Sequence, residues 1–423
     1  MTSIIGIDFG TTNSVLSVLE PDGSTRTARF TEAQLDVFRS VLCFWTEEAH
    51  HRTQLRSAAG PKAIAAYLDD PLDSRLIMSM KSYLAQRSFT QTTLYNRSVT
   101  LEQLIGIFLR AFLAESGIET EGAHVVAGRP VKFVGETADD ALGEARLRAA
   151  FAAAGVAAID TAFEPEAAGY RFARDLTAPA TVLIGDFGGG TSDFSIVRFA
   201  HGTVSPLATT GIGIAGDVFD FRIIDHVISP LLGKGDTYRV TKTDLPVPPE
   251  YFSSFARWHR LSLMKAPKTL RAIAEVAKAS RHPERLQGLI TLIEDEMGYQ
   301  LYQVVSAAKA ALSRAETAAL RFHHRTIRIE ETITRADFER WIAGDIAQMD
   351  AVVGEALAQA GLVAGQIDHV FLTGGTSFVP AVRRLFVERF GAEKVSAGGE
   401  FVSVAEGLAL IGRDRLAAAG RSG

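Results

Sequence analysis

The sequence predicts an α/β fold built from two similar halves, the second carrying a mostly helical insertion. Three observations lead there. Strand-like apolar runs alternate with stretches of helical periodicity, which argues α/β architecture. A short segment with a glycine turn occurs twice, as "IGIDFGTTNS" at residues 5–14 and "LIGDFGGGTSDFS" at 183–195. From residue 244 to 325 the texture shifts, after a short loop-like segment, to sequence rich in Ala, Leu, Arg and Lys.

In chain order, the first apolar run ends at Asp8, passes Phe9 and a Gly10-Thr11-Thr12 turn, and continues as "SVLSVLE". Turn residues between two apolar runs predict a β-hairpin. Cys43, in the apolar context "SVLCFW", reads as a core residue, since a free cysteine packs like a small hydrophobe. In "TLEQLIGIFLRAFLAESG" (100–117), Leu101, Leu104, Ile105, Phe108, Leu109 and Phe112 share one helical face, with Thr100 as start and Gly117 as stop. A strand, "AHVVAGRPV", separates it from a second helix over 137–156 that opens near Asp139-Asp140 and ends at Gly155.

Asp186-Phe187-Gly188 then repeats Asp8-Phe9-Gly10, and "DFSIVRF" supplies the second arm of another hairpin. The spacing is far too long for a solenoid period. It suits two related domains, 1–176 and 177–423, with the helical insertion at about 225–325 in the second. Within the insertion "DLPVPPEYF" (244–252) reads as loop, and the chain beyond it as mostly helix. A long amphipathic helix over 335–361 leads into "VFLTGGTSFVP" (370–380), a third glycine turn after a strand.

The chain has 423 residues and a formal charge of -5, from 44 basic and 49 acidic side chains. That balance is no electrostatic footprint for nucleic acid. A single cysteine precludes an intrachain disulfide. The N-terminus lacks the basic-then-apolar pattern of a signal peptide, and no apolar run is long enough for a bilayer. The expectation is a soluble, cytoplasmic monomer with no nucleic-acid or membrane partner. His50-His51 and His323-His324 lack the spacing of a helical metal site and read as surface residues.

Glycine turns let backbone approach a ligand, and successive amides in them form anion-binding concavities. Thr11, Thr12, Thr191 and Ser192 add hydroxyls, so phosphate is the natural guest. Carboxylates beside phosphate require an intervening cation. Mg²⁺ suits them, because it takes carboxylate, phosphate and water oxygens and keeps several waters. Asp8, Asp186 and Asp193 are therefore candidate partners of a hydrated Mg²⁺. Gly374 and Gly375 could admit a base or ribose. None of the three turns fits the Walker pattern with its lysine.

Together, "IGIDFGTTNS", "LIGDFGGGTSDFSIV" and "VFLTGGTSFVPAVRRLF" resemble the two phosphate motifs and the adenosine motif of actin-like ATPases, above all the nucleotide-binding domain of DnaK-type heat-shock chaperones. "FEPEAAGYRFA" (163–173) and "VAEGLALIG" (404–412) resemble that family's two connecting segments. "GIAGDVFDFRIID" (213–225), with Gly216, resembles the segment after the second phosphate loop. The likeness implies a two-lobed actin-like ATPase fold (duplicated ribonuclease-H-like domains) binding ATP or ADP with Mg²⁺.

By resemblance, Asp8, Asp186 and Asp193 would serve the metal, while Gly10, Thr11, Thr12, Asn13, Gly188, Gly189, Gly190 and Thr191 would surround the phosphates. Glu164 and Lys81 match the family's glutamate near the attacking water and its lysine at the γ-phosphate; Lys81 also admits a plainer reading as an exposed helix lysine. Lys81, Glu164, Asp186 and Thr191 form the implied catalytic set. Lys309 and Ser313 match adenosine contacts, joined by Gly374, Gly375, Thr376 and Phe378. Ser306, Ala310 and Phe378 stand where the family carries Glu, Arg and Arg, and Phe401 where it carries an acidic residue near the ribose.

The chain ends soon after the second connection, with no peptide-binding domain, and so resembles the truncated, YegD-like branch. The resulting expectation is a slowly hydrolysing, chaperone-like ATPase switch, open to a protein partner or client. A small-molecule kinase, a non-hydrolysing nucleotide-gated module and a filament former share the superfamily and are the alternatives.

Overall fold

The computed structural model describes residues 3–30, 36–49, 52–70, 73–133, 138–173, 178–200, 203–256, 264–397 and 402–419. His50, His51 and Phe401 lie outside them. The chain divides into two compact units, one comprising Met1–Gly216, Ala347–Phe378 and Val382–Gly423, the other Asp217–Ile346 with Val379–Ala381.

Two sheets organise the first unit. In one, strand Ile4–Phe9 pairs antiparallel with Asn13–Leu19, which in turn pairs with Thr25–Thr27 and Phe38–Arg39. On its other side Ile4–Phe9 runs parallel to His124–Arg129, and that strand to Asp160–Phe163. In the other sheet Ala180–Phe187 pairs antiparallel with Ser192–Ala200, followed by Thr203–Ile212, and on the far side parallel with His369–Thr373 and then Val395–Ala397. The five-strand order is the same in both. The duplication legible in the hairpins thus extends to the whole sheet.

The first sheet's core is aromatic. Phe9 meets Phe108 with ring centroids 5.6 Å apart, and Phe30, Phe38 and Phe112 continue the cluster around the buried face of helix Leu101–Ser116. That helix starts with a capping box between Thr100 and Gln103 and stops at Gly117, whose φ of 65° closes the last turn. Helix Asp140–Ala154 is capped by Asp139, which accepts from the Leu142 amide, and ends at Gly155. Cys43 is buried in strand Val41–Ala49.

Helices Glu164–Ala173 and Ser403–Ala419 pack on each other, the former also on the second sheet and the latter on the first. Val126, Ala167, Ile184, Val404 and Leu408 share the core they enclose. Their crossing is a backbone contact: a Cβ on Gly407 would lie 1.6 Å from the Ala167 carbonyl oxygen. Arg171 and Glu406 add an ion pair at 2.5 Å between the same two helices.

The second unit is largely helical, with Pro249–Phe255, Pro267–Ala279, Pro283–Glu294 and Gly298–Leu312, and the front of Arg335–Ala360. Three of these begin with proline, whose missing N–H costs nothing at a helix start. Two parts of the insertion differ from the expectation. "DLPVPPEYF" is not a loop: Thr243–Pro246 pairs with Thr237–Val240, and Pro249 opens a helix. Residues 317–324 are strand, paired with Ile327–Thr334, and their buried–exposed alternation has period 2 rather than 3.6. His323 in that hairpin is exposed and pairs with Glu330, whereas His324 is half-buried against Asp295. Among the described residues no helix is long and apolar enough to cross a membrane.

Candidate nucleotide site

The two glycine turns have the same registration. Phe9 pairs with Ser14 and Asp8 with Val15; Phe187 pairs with Ser192 and Asp186 with Asp193. Each turn is therefore closed by a buried phenylalanine and a buried serine, with an aspartate one step behind. Gly10 is required locally, because a Cβ there would lie 2.0 Å from the Asn13 carbonyl oxygen. Of the residues in the first turn, Thr12 offers its carbonyl to the Ser40 amide at 2.9 Å, and the Asn13 side chain accepts from Arg39 at 3.2 Å. Thr11 and Thr12 are half-buried. In the second turn the Gly188 amide donates to Thr191 at 2.9 Å, and Gly189 and Gly190 form the bend between them.

The third turn sits on the second. Asp186 is in register with Thr373. Gly374 follows with φ of 85°, its Cα so close to the Phe187 carbonyl that a Cβ would lie 2.1 Å away. Only glycine meets both conditions. Thr376 donates its hydroxyl to the Gly188 carbonyl at 3.2 Å, Gly375 is exposed, and Phe378 exposes 45% of its surface. Gly216 is buried at the start of helix Gly216–Ile223.

Lys81 is not an exposed helix lysine. It lies in the short 3-10 turn Met80–Tyr83, entered through Ser79 in a left-handed conformation, and it is buried. Its Nζ donates to Glu164 Oε1 at 2.5 Å. Glu164 is the first residue of its helix, at the end of strand Asp160–Phe163, so the helix start favours its negative charge.

Charge in this pocket is crowded. Burial, reinforced by the Glu164 carboxylate and only partly relieved by Lys81, raises the Asp8 carboxyl to about 7. Burial and then the neighbouring Glu164, Asp8 and Asp193 charges push Asp186 well above the usual carboxylate range. Asp193 is likewise raised to about 7 by burial and Glu164, despite hydrogen bonds from Thr191 and from the Val131 amide at 3.0 Å. Burial opposes the Lys81 charge, but Glu164, Asp8 and Asp186 outweigh it and raise the amine. Four carboxylates facing one lysine form a site short of positive charge, which suits a divalent cation. Among the described residues no three of His, Cys, Asp or Glu converge closely enough to enclose a metal ion by themselves. A cation here would keep part of its water shell, as Mg²⁺ does.

Two further features surround Asp193: one holds it and one leaves it room. One is the Val131 amide, just past the end of strand His124–Arg129. The other is Gly211, where a Cβ would lie 2.4 Å from Asp193 Oδ1. A lone glycine inside a strand marks such close approach, so Gly211 was the available signal. Lys309 and Ser313, the residues expected at the adenosine, fall in the second unit. Lys309 forms an ion pair at 2.8 Å with the buried Asp220, and Ser313 is half-buried at the end of helix Gly298–Leu312.

The sequence matches the family model described as Hsp70 protein over residues 143–240 and 286–413, more than half of the chain. The chain belongs to the Hsp70 family, with its actin-like α/β nucleotide-binding fold and chaperone-type ATP-binding domain.

Proposed function

We propose that this Hsp70-family chain is a slow, Mg²⁺-dependent ATPase that works as a nucleotide-gated switch. The observation that carries the reading is the buried Lys81–Glu164 ion pair, set among Asp8, Asp186 and Asp193 beside two matched glycine turns. Phosphoryl transfer needs little covalent help from a protein; positioning and charge neutralisation account for most of the catalysis.

Bound Mg²⁺ would supply charge neutralisation between the carboxylates and the phosphate oxygens. Asp8, Asp186 and Asp193 are the residues that would hold it, through water or directly. The amides and hydroxyls of Gly10–Asn13 and Gly188–Thr191 face the phosphates. Lys81 balances charge on the terminal phosphoryl group, and Glu164, held by Lys81, orients the attacking water. Thr191 and Asp186 fix that water in line. Phe378 offers an aromatic face to the base where the family carries arginine.

Single-turnover hydrolysis of ATP with Mg²⁺, beside Lys81→Ala and Asp186→Ala, tests the reading. Slow phosphate release by the wild type, lost in both folded variants, is the expected result. ATP binding with no phosphate release by the wild type would overturn it in favour of a non-hydrolysing module.

A further inference from the structure

Arg146 is a buried arginine in helix Asp140–Ala154, far along the chain from any glycine turn. Burying a guanidinium is costly unless its donors are satisfied. Here Nη1 faces three backbone carbonyls of one segment: Tyr83 at 3.4 Å, Leu84 at 3.2 Å and Gln86 at 3.1 Å. Nε meets Glu102 at 3.1 Å from the neighbouring helix. The Asp139 amide adds a bond to the Ala85 carbonyl at 3.0 Å, and Arg87 pairs with Asp139 at 2.5 Å. Every carbonyl from Tyr83 to Gln86 is thus held by, or next to one held by, the start or body of a single helix.

That segment is the exit of the 3-10 turn carrying Lys81. The turn is short, its entry residue Ser79 has φ of 50°, and it has no side-chain cap. Such a turn does not hold its own geometry: 3-10 hydrogen bonds are weak, and a left-handed serine is strained. Met80, Leu84 and Ala85 are buried and apolar, which fixes depth without fixing direction. Within the segment, the Gln86 side chain donates to the Ser82 carbonyl at 2.8 Å; directional restraint from outside the segment comes from the guanidinium.

We propose that Arg146 is a positioning residue for Lys81: by gathering the carbonyls at the end of the turn it aims the Lys81 amine at Glu164 and the phosphate site. The proposal rests on the reading above that Lys81 meets the terminal phosphate. It adds a residue that touches neither nucleotide nor Lys81.

The test pairs two readouts on Arg146→Met, which keeps most of the apolar stem, and on Arg146→Lys, which keeps charge without the planar fork. In nucleotide-free protein, modification of Lys81 by an amine-reactive reagent is followed by mass spectrometry, with Lys309 as internal reference. Labelling of Lys81 is expected to rise several-fold in Arg146→Met, and less in Arg146→Lys, while Lys309 is unchanged. The second readout is the affinity ratio for ATP over ADP. It should fall by about tenfold in Arg146→Met and in Lys81→Ala, with no further fall in the double variant, because residues acting through one contact are non-additive.

A lowered Tm with Lys81 labelling and the ATP/ADP ratio both unchanged would make Arg146 merely structural and overturn the proposal. Additive losses in the double variant would do the same. Should Arg146→Met not fold, Arg146→Lys carries both readouts. Should wild type bind ATP and ADP alike, the nucleotide reading fails, and Lys81 labelling alone still decides whether Arg146 aims the amine.

Discussion

The hairpin at Asp8 and the hairpin at Asp186 share one turn length, one closing Phe–Ser pair and one sheet order, yet they differ in the residue that faces the aspartate. Val15 stands opposite Asp8, whereas Asp193 stands opposite Asp186. The first hairpin therefore brings one carboxylate, which Glu164 crowds and Lys81 partly relieves, both delivered by other elements of the same unit. The second brings two carboxylates and relies on hydrogen bonds from Val131 and Thr191. Duplication supplied the geometry, and divergence at one strand position divided the electrostatic work.

Removing the charge that belongs to the second hairpin should have the largest effect. Asp186→Asn is expected to cut single-turnover hydrolysis by about 10²–10³, the scale found when one preorganised electrostatic group is lost. The same change should raise the nucleotide-free Tm at pH 8, since a carboxyl held far above its usual range is destabilising when ionised. Lower stability together with intact turnover would refute the division of roles.

The turns themselves offer the next contrast. An alanine Cβ at position 10 would lie 2.0 Å from a carbonyl oxygen, but at position 188 the nearest atom is 3.6 Å away. Gly10→Ala should cost about 2 kcal/mol, whereas Gly188→Ala should stay within about 0.5 kcal/mol. Urea denaturation of both variants measures the difference, and equal losses would contradict this contrast between the two turns.

Converting the second hairpin towards the first is the subtler test. Asp193→Val leaves the Val131 amide without its acceptor, at a cost of about 1–3 kcal/mol. The cost is best read at pH 6, where a carboxyl with a pKa of about 7 is already largely neutral, so no charge relief offsets it. An unchanged Tm at pH 6 would mean that water replaces the lost acceptor.

The smallest effect is a pH slope. Asp8 and Asp193 are raised from 3.8 to about 7, so the folded chain holds protons that the unfolded chain releases across that window. Stability is then fullest below the unfolded value and is lost as pH rises towards 7. Without nucleotide, Tm should fall by a few degrees between pH 5 and 8, and excess Mg²⁺ with ADP should flatten the slope. A Tm that rises over this range would contradict the crowded-carboxylate picture.

The parts of the fold that the sequence announced were those with local causes. Helix Leu101–Ser116 follows from its apolar face, Thr100 and Gly117, and the hairpins from their glycine turns. The strand at 317–324 lies at the end of a stretch whose composition favours mostly helix, and only its residue-by-residue alternation marks it as strand. In the site, the glycine turns and aspartates could be read directly. The support of Asp193 by Val131, and of the Lys81 turn by Arg146, could not. Those contacts join residues 60 or more positions apart along the chain, and no local pattern records which distant carbonyl a buried arginine will find.

The Gly407–Ala167 crossing carries a consequence of another kind. Helices usually mesh like gears, ridge into groove, and turning one against the other means climbing over side chains. Where these two meet, the teeth are filed away and backbone rests on backbone. The helix covering the first sheet and the helix covering the second thus meet there with no side chain between them, while Arg171 and Glu406 tie the same pair together beside the crossing.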